Sequence, residues 1–377
     1  MAKRFAIVIT TINVPTLLGA YLEDFRAHGR EAEVIVIGDE QTPREAATHI
    51  GALRRRGFAV EFLDLAKQRE YLTRFDGLDQ LLPTRSIQRR NVGYLIACEH
   101  GADVILSLDD DNFLIAPDYL AGHDHVGERR TLPSAGAADG WVNTCDWLET
   151  KPPRRFYHRG YPVSRRWATT PIEMSTREAR VAVNAGMWLR DPDVDTVTRF
   201  EEPFEVTAWR GTAPHVVLAR GVHCPFNSQN TAAIAELLPF LYLTVPGHGL
   251  HGFRNALRNF RYDDIWMSYF ALLAMDRMDD AFSFGAPLVE QRRNPHGLLQ
   301  DLDRELIPMF LTESLVAMLA RIELRSHGYL EIHAELLDAL DAEIAREKSL
   351  ADAERKFFED VVAGMRCWHA ACKMVRP

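Results

Sequence analysis

Over the first 110 residues, short apolar runs rich in β-branched side chains alternate with segments whose apolar positions recur every three to four residues. The runs at 5–12, 33–38, 59–63 and 104–108 are too short for helices and are nearly continuous in apolar character, as strands buried on both faces are. The segments at 14–28, 43–56 and 85–99 have helical periodicity. This alternation predicts βαβ units, and so an α/β fold with a mostly parallel sheet flanked by helices. Ligands of such sheets lie beyond the carboxyl ends of the strands, so the residues that follow each run are where chemistry is expected.

From 112 to 260 the pattern turns irregular and rich in Gly, Pro, Trp and Arg, and long loops in a compact protein are more often functional than idle. An amphipathic helix is expected at 264–278. Three more are expected at 301–323, 329–346 and 351–373, with Leu and Ala stripes and charged outer faces. The chain thus divides into an α/β region over 1–300 and a C-terminal helical region over 301–377, the latter without an obvious catalytic constellation.

Composition narrows the function classes. An apolar fraction of 47% fits a globular chain, and a net charge of −9 argues against a large basic groove for nucleic acid. The five cysteines are odd in number and scattered, which argues against a disulfide framework and for reduced thiols in the cytoplasm. The opening Met1-Ala2-Lys3-Arg4 and its apolar run read as a first buried strand rather than a signal peptide, because the run is short and no small-residue cleavage site follows. The apolar stretch at 232–245 is interrupted by Glu236 and Pro239 and is too short to span a bilayer.

The strongest chemical signal is the fourth strand running directly into Asp109-Asp110-Asp111. Carboxylates this close raise one another's pKa unless a cation sits among them. Asp109 and Asp111 project to the same side of an extended backbone. Hard oxygen ligands suit Mg²⁺ or Mn²⁺, which would bridge to a diphosphate. By itself the triplet fits a nucleotide-sugar enzyme, a phosphatase or a nuclease equally well.

Six blocks, in order, resemble the plant reversibly glycosylated polypeptides, also known as UDP-arabinopyranose mutases, and their bacterial glycosyltransferase relatives. They are Ile7-Val8-Ile9-Thr10-Thr11-Ile12; Arg90 with Gly93-Tyr94 ahead of the triplet; and Arg159-Gly160-Tyr161-Pro162 with Ser164 and Arg166. The others are Trp188-Leu189 with Pro192-Asp193-Val194-Asp195, Cys224 with Asn230, and Arg261-Tyr262-Asp263-Asp264 with Trp266. The resemblance implies a GT-A type nucleotide-sugar fold and a divalent metal at the triplet, held by Asp109 and Asp111. It also implies that Arg159 occupies the position of the arginine that becomes glycosylated in that family, with Arg166 the second arginine required. A histidine-containing segment of the plant proteins is altered here to Val289-Glu290-Gln291, so a late metal ligand would be Glu290 or His296, or solvent.

These readings give a donor-binding set of Thr11, Asp39, Arg90, Asp109, Asp110 and Asn230. Thr11 and Asp39 follow strands and suit uracil or ribose, while Arg90 suits a phosphate or a triplet aspartate. The catalytic candidates are Asp264 or Asp263 as general base, Asp264 slightly favoured, and Arg159 and Arg166 as guanidinium partners of a diphosphate. The expected activity is metal-dependent transfer of a sugar from an NDP-sugar, UDP-linked by preference, to a small-molecule or glycan acceptor. The alternatives are a nucleotide-sugar mutase working through Arg159 and a non-catalytic nucleotide-sugar-binding protein; self-association is compatible with either.

Overall fold

Four strands from the first 110 residues form the parallel half of one large sheet. They are β1 (Phe5–Thr11), β2 (Ala32–Gly38), β3 (Val60–Leu63) and β4 (Val104–Asp109), in the spatial order β3-β2-β1-β4. All pairs among them are parallel, with Phe5 opposite Ala32 and Val104, and Thr10 opposite Asp109. The strands are largely apolar because both faces are covered, and Ile7, Val8, Ile9, Val34, Ile35 and Val36 are buried. The coordinates are a computed structural model describing residues 3–245, 260–294 and 297–375.

The connecting helices are α1 (Leu18–Ala27), α2 (Arg44–Arg55), α3 (Leu65–Leu72), α4 (Leu78–Leu81) and α5 (Arg90–Glu99). The first of these buries Leu18, Tyr21, Leu22 and Phe25, one helical face. Helix α5 lies unusually close to the sheet. A Cβ on Gly93 would stand 2.3 Å from Val8 Cγ1, so only glycine permits this approach. That closeness sets Arg90, at the start of α5, over the carboxyl ends of β1 and β4.

The remainder of the sheet is not parallel in the way the first half is. Its strands are β5 (Asn112–Leu114), β6 (Arg129–Gly136), β7 (Leu148–Lys151), β8 (Glu173–Arg190), β9 (Glu205–Trp209), β10 (His215–Leu218), β11 (Asn230–Ile234) and β12 (Ala281–Gln291). Beyond β4 the order continues β11-β8-β6-β10-β12-β5, with β11 antiparallel to β4 and β8, and β12 antiparallel to β5. The expectation of a mostly parallel sheet is therefore corrected to a mixed one, and the supposedly irregular stretch at 112–260 carries most of the added strands.

Helix α7 (Asp263–Met278) follows, and it too departs from expectation. It is buried nearly all round rather than amphipathic, because the C-terminal helices α8 (Leu298–Leu319), α9 (Tyr329–Arg346) and α10 (Asp352–Met374) cover what would be its outer face. Trp266 stacks on Phe358 at 5.4 Å between ring centroids and donates its indole N–H to Thr312 at 2.9 Å. The helical tail thus shares the core of the α/β layer. A short helix, α6 (Thr196–Glu201), packs on α8, where Glu305 accepts the backbone N–H of Thr196 at 2.7 Å. The five cysteines are free. Among the described residues no helix is long and apolar enough to cross a membrane.

Candidate active site

A cavity of about 350 Å³ opens where the carboxyl end of β4 meets the start of α7. Its acidic lining is Asp109, Asp111, Asp193, Asp263 and Asp264, and its amide lining includes Gln88, Asn227, Gln229 and Gln291. Among the described residues, six arginines line it as well: Arg85, Arg159, Arg199, Arg261, Arg293 and Arg304.

The triplet lies at one corner, and its three members have separate surroundings. Asp109, last residue of β4, is paired with Arg90, whose buried guanidinium also donates to Thr10 Oγ1 at 2.7 Å, Ser107 Oγ at 3.0 Å and the Ser228 carbonyl at 3.1 Å. Burial raises the Asp109 pKa, Arg90 opposes the rise, and Asp264 and Asp110 add to it. Asp110 turns the other way and accepts from Thr11 Oγ1 at 2.7 Å. Asp111 is pushed up to about 8 by burial first and then by Asp109 and Asp110. Among the described residues its side chain is met only by amides, Asn112 Nδ2 at 3.2 Å and Gln291 Nε2 at 3.4 Å.

A corner whose carboxylates repel one another and lack a full counter-charge fits a divalent cation. Asp109 and Asp111 both line the cavity and would supply two oxygens to it. Among the described residues, three carboxylate or imidazole donors within 4.8 Å of one another occur at Glu33, Glu61 and His100, not at the triplet. Phosphate oxygens and water could supply further ligands to a cation at the triplet, as Mg²⁺ and Mn²⁺ accept. His296 lies outside the described residues, and Glu290 points its charge to Arg292 instead.

The second corner is built on Arg159. Its buried guanidinium reaches Asp193 (Nε–Oδ1 3.0 Å) and Asp264 (3.2 Å), donates to the Arg261 carbonyl, and sits 5.9 Å from the centre of the Tyr262 ring. Burial works against its charge, yet Asp193 and Asp264 hold its pKa well above the usual arginine value. Asp193 in turn stays far below the usual carboxylate range, burial notwithstanding, because of Arg159 and then Asn227, which donates at 2.7 Å.

The two adjacent aspartates at the head of α7 differ sharply. Asp264 has both oxygens engaged, by Arg159, by the Ser228 N–H at 3.1 Å and by Ser228 Oγ at 3.3 Å. Asp263 is buried with Oδ2 unpartnered among the described residues, and its other oxygen accepts only the Asp264 N–H at 3.0 Å. Burial and the neighbouring Asp264 push its carboxyl up to about 8, against the pull of Arg159. A carboxyl that titrates near neutrality in a cavity is suited to proton transfer. Of the two candidates for a base, Asp263 thus has the free oxygen among the described residues, whereas Asp264, slightly favoured from the sequence, is engaged by Arg159 and Ser228.

Several sequence-derived candidates are near the cavity without lining it. Arg90 and Thr11 hold Asp109 and Asp110 in place. The Asp39 carboxylate accepts the backbone N–H groups of Arg85 (2.9 Å) and Ser86 (2.8 Å), so it shapes the cavity-lining loop rather than offering itself to a ligand. Two candidates lie elsewhere. Asn230 is enclosed in the sheet, accepting from the Tyr119 hydroxyl at 2.6 Å and resting against Gly186, which leaves it no face toward a nucleotide. Arg166 pairs with the buried Asp195 and donates to the Tyr161 carbonyl, beside a separate small cleft next to Tyr262 and Met309.

Sequence reading missed Asn227, Gln229, Gln291, Arg293 and Arg304. The first two precede β11 and reach Asp109 because the Asp109 N–H bonds the Gln229 carbonyl at 3.0 Å. Gln291 ends β12 and stands opposite Asn112, beside the triplet. Arg293 continues from it, donating to Asp301 of α8 at 2.9 Å. Gln291 falls in the segment considered for a late metal ligand and Arg293 lies just past it; the signal for both is the apolar run at 281–289, a strand that ends beside them.

No family model matches the chain. Among solved structures it is similar to S. aureus TarS 1-349 in complex with UDP-GlcNAc, with TM-score 0.41, 13% identity, and coverage of 99% of this chain and 91% of that one. The same fragment in complex with UDP gives TM-score 0.35 and 13% identity, covering 98% and 90%. Among curated proteins the chain is 26% identical over 219 residues to UDP-arabinopyranose mutase 3 of Arabidopsis thaliana, taking in 56% of this chain and 52% of that protein. The match thus spans about half the length of this curated relative.

Proposed function

We propose that the cavity binds a nucleoside-diphosphate sugar, by preference UDP-linked, and that the protein is an enzyme transferring its glycosyl group in a metal-dependent reaction. The observation that carries this reading is the pair Asp109 and Asp111, cavity-lining carboxylates at the end of a central strand whose mutual repulsion calls for a cation. A bound divalent ion would neutralise charge developing on the diphosphate leaving group. Arg159 faces the same space, and a fixed guanidinium held between Asp193 and Asp264 stabilises the departing phosphates without reorganising. Asp263 accepts the proton of the acceptor hydroxyl. The identity to UDP-arabinopyranose mutase 3 supports the nucleotide-sugar class. The test is calorimetry of UDP binding with Mn²⁺ and with EDTA. Binding is expected in Mn²⁺ only and is lost in Asp111→Asn with the fold retained; equal affinity in EDTA overturns the assignment.

A second reading, a mutase in which Arg159 carries the sugar, draws on the same curated relative. Its chemistry asks for a guanidinium that can shed a proton, whereas Asp193 and Asp264 hold this one firmly protonated. The transferase reading is preferred for that reason. Label from a radioactive UDP-sugar that stays on the protein, is chased by UDP and disappears in Arg159→Ala would reverse the preference.

A further inference from the structure

One wall of the cavity carries more positive charge than its own carboxylates neutralise. Arg159 is paired with Asp193 and Asp264, Arg261 with Glu305 at 2.8 Å, and Arg293 with Asp301 at 2.9 Å. Arg199 and Arg304 differ. Arg199, on α6, donates to the Pro192 carbonyl, has a buried Nε with no partner, and has no carboxylate within ion-pair distance among the described residues. Arg304, half-buried on α8, has neither hydrogen bond nor ion pair among the described residues. Both line the cavity, and the Glu305 bond to Thr196 locks their two helices side by side.

Arg199 is disfavoured as a cation by burial and by the like charge of Arg293, which the more distant Asp193, Asp191 and Glu305 offset only in part. Such a surplus is compensated when an anion arrives, and a guanidinium fork suits carboxylate or phosphate oxygens. We propose that the α6–α8 wall is an anion subsite, with Arg199 and Arg304 binding a carboxylate or phosphate of the substrate other than the diphosphate held at the Asp109–Asp111 corner. This rests on the nucleotide-sugar reading. Arg293 comes two residues after Gln291, which donates to Asp111 at 3.4 Å, and itself donates to Asp301 of α8 at 2.9 Å, so it stands between corner and wall. A diphosphate at the corner meets Arg293 and Arg159 first and leaves the wall to a second anionic group. That group belongs either to the donor sugar, as in a uronic acid, or to the acceptor.

The experiment uses the full chain and its Arg199→Gln/Arg304→Gln double variant. UDP is titrated with Mg²⁺, UDP-glucuronate is compared with UDP-glucose, and orthophosphate is titrated into protein alone and into protein saturated with UDP and Mg²⁺. The double variant is expected to bind UDP as wild type does. An acceptor-borne anion is indicated if orthophosphate binds UDP-saturated wild type about tenfold more tightly than the variant. A donor-borne anion is indicated if wild type, and not the variant, favours UDP-glucuronate over UDP-glucose by about tenfold. Normal UDP binding with neither effect overturns the subsite, as does loss of UDP affinity in the variant, which would make these arginines the diphosphate's own ligands. If wild type fails to bind UDP, the nucleotide-sugar reading falls; orthophosphate titrated into the free proteins then decides the subsite, and equal affinities overturn it.

Discussion

Replacing Asp263 by Asn removes a cavity carboxyl that, among the described residues, has an unpartnered oxygen and a pKa near neutrality. With that carboxyl titrating at about 8, roughly one molecule in ten carries the base form at pH 7 and roughly one in a hundred at pH 6. Turnover of the wild-type protein should therefore rise about tenfold per pH unit up to about pH 8 and then level. The Asn variant should lose that rising limb and about 10²–10⁴-fold of its rate while still binding UDP. Stability moves in the opposite direction. A carboxyl whose pKa is raised by folding stabilises the protonated form, and that contribution is lost as pH rises through about 8, so Asp263→Asn should resist urea better than wild type at pH 8. Asp264→Asn should shift the limb to lower pH, because burial remains but the neighbouring charge that raises Asp263 is gone. The assay is release of nucleoside diphosphate from a panel of UDP-sugars between pH 5.5 and 9, beside urea unfolding. A flat profile, or an Asn variant with near wild-type rate, would refute the base assignment.

Two further outcomes follow from packing. Gly160 has φ +80°, and a Cβ there would lie 2.2 Å from Ile265 Cγ2, so Gly160→Ala should cost about 2–5 kcal/mol in urea unfolding and, by displacing the head of α7, weaken UDP binding; a loss below 1 kcal/mol would contradict it. In the C-terminal helices His333 and His369 stack with Nδ1 atoms 3.1 Å apart, and burial holds His333 neutral down to about pH 3. A histidine with a folded pKa this low contributes stability above its unfolded pKa of about 6.5 and loses it as pH falls below that value, by about 2 kcal/mol at pH 5. His333→Phe should abolish that part of the decline, as read by denaturation midpoints at pH 7 and 5, and an unchanged pH dependence would exclude the pair as its source.

What could be read from the sequence follows from how local each signal is. Strands β1 to β4 are continuous apolar runs because both faces are covered, and their observed limits fall within a residue or two of the runs. Strand β8 was invisible for the opposite reason. Its first half, beginning at Glu173, is exposed and polar even though it pairs with the end of β6, Glu173 lying opposite Gly136, so no alternation marks it until Arg180. Helix α7 reads as amphipathic in the sequence, yet even its Ser268 is buried, donating to the Ile265 carbonyl. Tertiary cover on both sides explains this, Phe226 donating its N–H to Ser268 Oγ at 3.2 Å while α8 and α10 enclose Trp266, and that cover has no local trace.

The site divides along the same line. Asp109, Asp111, Arg159 and Asp264 were legible because each ends a strand, opens a helix or belongs to a compact motif. What joins them was not legible, since the joints come from segments far apart in the chain. Ser228 is the clearest case. Its carbonyl and hydroxyl accept from Arg90, which holds Asp109, while its N–H and hydroxyl face Asp264, which holds Arg159. On the other side Asn227 bonds Asp193 and Gln229, and Gln229 bonds Asn112 at 2.9 Å, next to Asp111. The segment 227–229 thus ties the cation corner to the guanidinium corner. It can do so only because β11 runs antiparallel beside β4 and delivers its first residues to the carboxyl end of that strand. Had the sheet continued parallel past β4, the residue preceding a neighbouring strand would lie at the far edge. The antiparallel turn of the topology is therefore what turns two separate clusters of charge into one site.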